Sequence, residues 1–392
     1  MRAQKLWVWR FFGCFCALSG AAACHKPAPS TDQKITPTSA SATFRPIASE
    51  ANQLDSVTAF DLVGAADGAT VIWADASSKA GFLRRADLDR DGEPRAVAVS
   101  LPVGQRALGA VSDLSAVWIG QTLAVSWLER AQTEARAQAL IFASGSAAHV
   151  LDLGPAWFSP ATARGNVALA SDAGRALVLA RGREAACADA REQHCTGFSF
   201  FRLGPAQAEN VGLPMSVPVP CIENSAQLIA VGDRAHHGVC TVEQGEPVTT
   251  IFSIQYHPEY ARADQLLKGC KPLGMVEAEH TAWLVGDCSG LRRAARVTGS
   301  DGPVEVADLL RPRISCGPGS LQIHAGGFRL DLAAPRSGLQ TVLPESMAPH
   351  LSRAAWTGAR LIVALPHGPG LELASYLCDQ GELRPAPPVS AP

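Results

Sequence analysis

Three tyrosines and six lysines are all that a chain of 392 residues holds of either type. Three of those lysines precede residue 35, so positive charge beyond that point comes almost wholly from arginine, a bias that suggests a high-G+C genome. The formal net charge is −2. Without a basic surplus the chain lacks the electrostatic footprint of a nucleic-acid binder, or of a protein held on anionic lipid by charge alone. Long amphipathic helical periods are missing, and no stretch reaches the roughly 20 apolar residues of a membrane span. Also absent are G-x-S-x-G, H-E-x-x-H, the phosphate-binding loop, C-x-x-C and C-x-x-C-H. The serine-hydrolase, zinc-protease, nucleotide and haem chemistries that these patterns serve therefore have no motif here, and no cofactor is expected.

What is present is punctuation. Thirty-five glycines and 27 prolines interrupt short runs of Val, Ile, Leu, Ala and Trp. Short apolar runs ended by turn residues predict an all-β protein of many strands.

The N-terminus reads as an export signal. Arg2, Lys5 and Arg10 precede an apolar segment over 11–23 that ends in Ala21, Ala22 and Ala23. The run "AAAC" resembles the lipobox of bacterial lipoproteins, with Ala21 where leucine is usual, which implies acylation of Cys24. Cleavage at an A-x-A site over the same alanines is the alternative. Cys14 and Cys16 fit less well, because Phe12 and Phe15 stand where small residues are needed. Residues 24–50 are rich in Pro, Ser and Thr and too poor in large apolar groups to offset chain entropy, so a disordered tether is expected. The expected domains are thus a signal peptide over 1–23, the tether over 24–50 and a folded domain over 51–388.

Within that domain one kind of strand recurs: "VIWAD" (71–75), "VSWLE" (125–129), "ALASD" (168–172), "IAVGD" (229–233), "WLVGD" (283–287), "IHAGG" (323–327) and "IVALP" (362–366). The spacings run from 39 to 61 residues with a mean near 48. Cysteines echo the period, for Cys240 and Cys288 lie 48 apart. Such a period holding several strands predicts a single β-propeller of about seven blades, six or eight being the near alternatives. A large β-sandwich, or two β domains, is the competing architecture. The first repeat carries Trp73, Asp75, Arg85, Asp87, Asp91 and Gly92. It resembles the W-x-D propeller repeats of exported and lipid-anchored proteins in high-G+C bacteria such as myxobacteria, with partial echoes around Trp127 and Trp283. The resemblance implies a fold and a compartment rather than an activity.

Candidate sites are few. Asp87, Asp89 and Asp91 open like a calcium loop, but Arg95 and Ala98 stand where its later ligands belong, and Asp-Gly is itself a strong turn signal. No metal is expected, with that triplet the weak alternative. His236, His237 and Cys240, or His194 and Cys195, are lesser metal candidates, the two histidines reading more simply as an exposed turn. Removing the signal and acylating Cys24 leaves eight cysteines: Cys187, Cys195, Cys221, Cys240, Cys270, Cys288, Cys316 and Cys378. An even number in an exported chain favours disulfides. Joining neighbours gives 187–195, 221–240, 270–288 and 316–378 as the simplest set. Tyr256, His257, Glu259 and Tyr260 place aromatics with polar tips in one loop, a candidate ligand surface.

"TFRPI" (43–47) is similar to the F-R-I-P sequence of sialidases, with Pro and Ile exchanged and a position in the tether. "ASDAGRAL" meets the sialidase Asp-box only at Asp172 and Gly174. No catalytic residue is assigned, and the balance is against an enzyme. The expected function is that of a lipid-anchored envelope protein, a monomer, binding or scaffolding an envelope protein or glycan with one propeller face. Its membrane contact would be the N-terminal lipid, at the outer membrane or cell surface rather than the inner membrane. The alternative is an envelope carbohydrate-active hydrolase or lyase at the propeller channel, which needs two carboxylates within about 10 Å.

Overall fold

The computed structural model describes residues 45–46 and 56–386, except 66, 77–80, 104–109, 131–134, 144–148, 157–166, 173–174, 186–194, 205–206, 211–214, 219–226, 232–233, 244, 256–259, 298–304, 310–311, 326, 334–337, 349–351 and 368–369. All described elements lie in one compact unit, Ser41–Pro392. The signal, Cys24 and most of the tether lie outside the described residues.

The protein is all-β. A short first strand, β1 (Arg45–Pro46), precedes seven antiparallel sheets that follow one another along the chain. Sheet 1 holds β2 (Ser56–Ala65), β3 (Gly68–Ala76), β4 (Gly81–Leu88) and β5 (Val99–Ser100). Sheet 2 holds β6 (Ala110–Ile119), β7 (Thr122–Arg130), β8 (Ala135–Ala143) and β9 (His149–Ala156). In sheet 3, β10 (Val167–Asp172), β11 (Arg175–Ala185) and β12 (Cys195–Leu203) are followed by β13 (Ala208–Asn210) and β14 (Met215–Pro218), which share one edge of β12. Sheet 4 is β15 (Gln227–Val231), β16 (Arg234–Glu243), β17 (Glu246–Gln255) and β18 (Tyr260–Leu266). Sheet 5 is β19 (Lys271–Ala278), β20 (Thr281–Cys288), β21 (Leu291–Arg296) and β22 (Val306–Asp308). Sheet 6 has β23 (Arg313–Gly317), β24 (Ser320–Ala325) and β25 (Phe328–Ala333). A 3-10 turn, Leu339–Thr341, leads into sheet 7: β26 (Arg353–Trp356), β27 (Arg360–His367), β28 (Gly370–Asp379) and β29 (Glu382–Pro385).

The turns follow from local chemistry. Ser289–Gly290 and Gln380–Gly381 take positive φ at both central positions of two-residue hairpins, the twist-matched form that glycine favours. Glu279–His280 do the same between β19 and β20 without any glycine, at φ 51° and 57°.

The arrangement is a propeller. First strands pack side by side in order: β26 on β2, β2 on β6, β6 on β10, β10 on β15 and β15 on β19. Sheets 1, 2, 5 and 7 each bury residues in two cores, one on either face. In β7, Leu123, Val125 and Trp127 meet Val63, Ile72 and Leu83 of sheet 1, while Ala124 and Leu128 meet Val167, Leu169 and Val178 of sheet 3. Fully burying one such side chain stabilises by about 1.5–3 kcal/mol, so a second strand such as β7 gains by lying between two neighbouring sheets.

The expected plan of about seven equivalent blades is not what forms. Five sheets, 1 to 5, are complete runs of consecutive strands. Sheet 7 draws its outer edge from both chain ends: β29 pairs with β28 at residues 376–379, and β1 pairs with it at Leu373 and Glu372. Arg45–Pro46, expected in the tether, is therefore part of the fold. Sheet 6 departs altogether. Cys316, Leu321, Ile323, Ala325, Leu330 and Leu332 lie on one of its faces, and that single face packs into a core shared with Val276 and Val285 of sheet 5 and Trp356 and Val363 of sheet 7. β25 lies against β19, and β23 against β28 and β29. The 3-10 turn packs on both β19 and β26, where a first strand would otherwise run. Gly338 makes this docking feasible: at φ 78°, a Cβ there would stand 2.1 Å from the Met275 carbonyl oxygen.

Repeat marks also slip in register. "VIWAD", "VSWLE", "WLVGD", "IHAGG" and "IVALP" fall on second strands, but "ALASD" and "IAVGD" fall on the first strands β10 and β15. Trp73 and Trp127 face the preceding sheet, whereas Trp283 faces the core beneath sheet 6.

Candidate functional site

The first repeat's motif residues serve the seams between sheets. Trp73 is buried, and Arg84 donates to Asp75 in a pair whose side chains are 16% and 10% exposed. Arg85 Nε donates to Asp87 Oδ1 over 2.9 Å, and its guanidinium lies over the Trp118 and Phe142 rings of sheet 2, 5.3 and 5.7 Å from their centroids. Thr70 Oγ1 donates to the same carboxylate oxygen, and Trp118 Nε1 donates to Thr70 Oγ1. Burial raises the Asp87 pKa, but hydrogen bonds from Arg85 and Thr70 outweigh it, and the carboxyl is held below its ordinary value.

The three aspartates of the calcium-like triplet do not converge. Asp87 is held by Arg85 and Thr70. Asp89 Oδ1 accepts the Asp91 and Glu93 amides and shapes its own turn. Asp91 pairs with Arg360 over 2.8 Å. The loop is a clasp onto sheet 7: Thr357 Oγ1 donates to the Arg90 carbonyl, and Ser375 Oγ to that of Asp91. Gly92, at φ 81°, sits so close that an added Cβ would lie 2.4 Å from Ile362 Cδ1. Among the described residues no group of three His, Cys, Asp or Glu side chains is placed to hold a metal ion.

Carboxylates on first strands have structural duties. Asp61 Oδ2 of β2 accepts the Ala116 amide of β6 over 2.8 Å, and Asp61 Oδ1 lies 3.4 Å from Arg353 Nε of β26. Asp113, in the bulge of β6 at φ 52°, accepts the Val167 amide of β10 over 2.9 Å. Ser115 Oγ accepts from Leu169 beside it. These bonds join neighbouring first strands at separations of 54 and 55 residues, one repeat apart.

Other expected residues are placed as follows. Cys270 is bonded to Cys288 within sheet 5, and Cys316 of β23 to Cys378 of β28, so the second bond ties sheet 6 to sheet 7. Cys187 and Cys221 lie outside the described residues, as do the side chains of Cys195 and Cys240. Tyr256, His257, Glu259, His194 and Gly174 lie outside as well; Tyr260 opens β18 opposite Ile254. His236 and His237 are not an exposed turn. Both lie within β16, where His236 is 6% exposed. Asp172 closes the β10–β11 hairpin opposite Arg175.

One polar surface was not anticipated. On sheet 6 the face opposite the core carries Arg313, Ser315, Gln322, His324, Arg329 and Asp331. Register puts Arg313 opposite His324 and His324 opposite Arg329, a basic row crossing three strands. The next row is Ser315, Gln322 and Asp331. Ser315 Oγ lies 3.0 Å from His324 Nε2 and 3.3 Å from Gln322 Oε1, and Arg329 pairs with Asp331 over 3.0 Å. Both arginines are exposed, and Ser315, Gln322 and His324 are half-buried. The strict alternation of "SLQIHA" and "FRLDLA" is the signal that could have marked it. No described helix is long and apolar enough to cross a membrane.

No family model and no curated protein matches the chain. Similar solved structures include a neuraminidase-like protein from A/bat/Guatemala/164/2009, at 8% identity over 87% of this chain and 93% of that one, with a TM-score of 0.44. A Bombyx mori GH32 β-fructofuranosidase shares 8% identity over 72% and 89% of the two chains, with a TM-score of 0.31. A puromycin-hydrolysing peptidase from Mycobacterium tuberculosis shares 11% over 88% of this chain but only 55% of its own, with a TM-score of 0.43. At these identities and scores the likenesses carry no argument about what this chain does.

Proposed function

We propose that the chain is a lipid-anchored envelope protein that binds or scaffolds an envelope partner and does not turn it over. Cys24 carries the lipid, residues after it form the stalk, and the propeller is the binding body. The observation that favours binding over hydrolysis is the use made of first-strand acids. Glycoside chemistry needs one carboxyl free to give a proton and a second free to attack or to activate water. Asp61 and Asp113 instead accept backbone amides of the neighbouring strand, and Asp61 also neutralises Arg353. A carboxylate committed in this way cannot act as acid or base without unfastening two sheets.

The test uses the full chain expressed in a high-G+C bacterial host. Protein recovered from membranes should begin at an acylated Cys24 by intact mass. It should co-sediment with a de-lipidated envelope fraction and release no new reducing ends from it. Release of reducing ends on prolonged incubation would turn the reading to the hydrolase alternative. Failure to co-sediment would remove the binding role.

A further inference from the structure

We propose that the open face of sheet 6 is a binding strip for a carboxylate-bearing polysaccharide, an inference that rests on the envelope-binding reading above. Three features carry it. First, sheet 6 packs only one of its faces, with Leu321, Ile323, Leu330 and Leu332 all in a single core, whereas β7 of sheet 2 packs both. Its other face therefore presents a pleated, three-strand surface for a ligand that lies flat.

Second, the row Arg313, His324, Arg329 is basic across the whole sheet. Neighbouring strands lie about 4.8 Å apart, so the two guanidinium groups originate roughly 10 Å from each other. Each presents a planar fork of donors that matches a carboxylate and that lysine cannot reproduce. Arg329 pairs with Asp331, an exposed pair that a second carboxylate can replace at little cost.

Third, the rest of the face suits hydroxyl-rich ligands better than protein ones. Ser315, Gln322 and His324 form a linked set of hydroxyl, amide and imidazole groups beside the cations. None of the six side chains on the two rows is Phe, Tyr, Trp or an aliphatic residue, so the face offers no apolar anchor of the kind that fills a pocket at the centre of a protein interface. Cations that read carboxylates, set next to neutral donors and acceptors that read hydroxyls, describe an acidic glycan.

The test measures binding of the full-length protein to polygalacturonate and to its methyl ester, which keeps the backbone and removes the charge. The wild type should bind the acid form, lose it on adding salt, and ignore the ester. The double variant R313Q/R329Q should bind at least about tenfold more weakly. D331N, which frees Arg329, should bind about two- to fivefold more tightly, a gain that a merely structural role for these residues does not produce. Equal binding by wild type and R313Q/R329Q would overturn the proposal, as would equal binding of acid and ester. Protein that co-sediments with the envelope fraction but ignores polygalacturonate would overturn the strip and leave the envelope-binding reading standing. Absence of both would remove the two together.

Discussion

Strands β7 and β24 occupy matching places in their sheets, yet they meet different surroundings. β7, "TLAVSWLER", is buried along nearly its whole length and feeds two separate cores, one on each face. β24, "SLQIHA", alternates buried and half-buried residues and feeds one core. A strand between two sheets must be apolar on both sides, whereas a strand that covers a core from outside must be apolar on one. The difference shows that this propeller's repeats are not equivalent. Among the described residues sheets 1, 2, 5 and 7 each feed two cores, whereas the sixth sheet in chain order feeds one and lies between the fifth and the seventh.

Three measurements sharpen or break that contrast. The largest effect is expected in the wedged strand. Trp127→Ala should cost about 3–5 kcal/mol in urea unfolding, since the indole is fully buried against sheet 1. Gln322→Ala on the open face of β24 should cost less than about 1 kcal/mol. Similar losses at the two positions would mean that sheet 6 is covered on both faces after all.

The disulfides come next. The chain-entropy view makes the 62-residue span of Cys316–Cys378 worth about 1 kcal/mol more than the 18-residue span of Cys270–Cys288. Replacing both cysteines of the longer bond by serine should lower stability by about 2–4 kcal/mol. Amide exchange should also quicken in β23–β25 while β7 stays protected, because only the covering sheet loses its tie. Uniformly faster exchange would show that sheet 6 unfolds only with the ring.

The smallest effect concerns the seam between sheets 1 and 2. Asp87 is held below the ordinary aspartate value of 3.8 when folded, so the unfolded chain takes up the proton first as pH falls. Its contribution is therefore complete above about pH 4 and fades as pH drops through the lower folded value. Asp87→Asn should flatten that part of the acid limb, read as the change in urea midpoint with pH. An unchanged acid limb would show that Arg85 and Thr70 do not hold the carboxylate in solution.

Local pattern made the all-β character legible but not the number of blades, because short apolar runs and Gly turns are properties of neighbouring residues. It marked the neighbour-wise cysteine pairs 270–288 and 316–378, and Asp91–Gly92 as a turn. It mistook the surroundings of His236–His237, since burial of a strand depends on what packs against it. It also placed "ALASD" and "IAVGD" on the wrong strand of their sheets, because first and second strands are alike when both are buried.

The amino-acid sequence by itself determined an all-β chain with a repeat near 48 residues, for turn chemistry and hydrophobic alternation act over a few bonds. Only the tertiary structure decided the rest. It turned the calcium-like loop into a clasp on sheet 7, where Asp91 meets Arg360 across 269 residues. It set β1 beside β28, and it laid sheet 6 over a core with its polar face outward. Each of these depends on partners far away in the chain, and no local pattern records which distant surface a residue will meet.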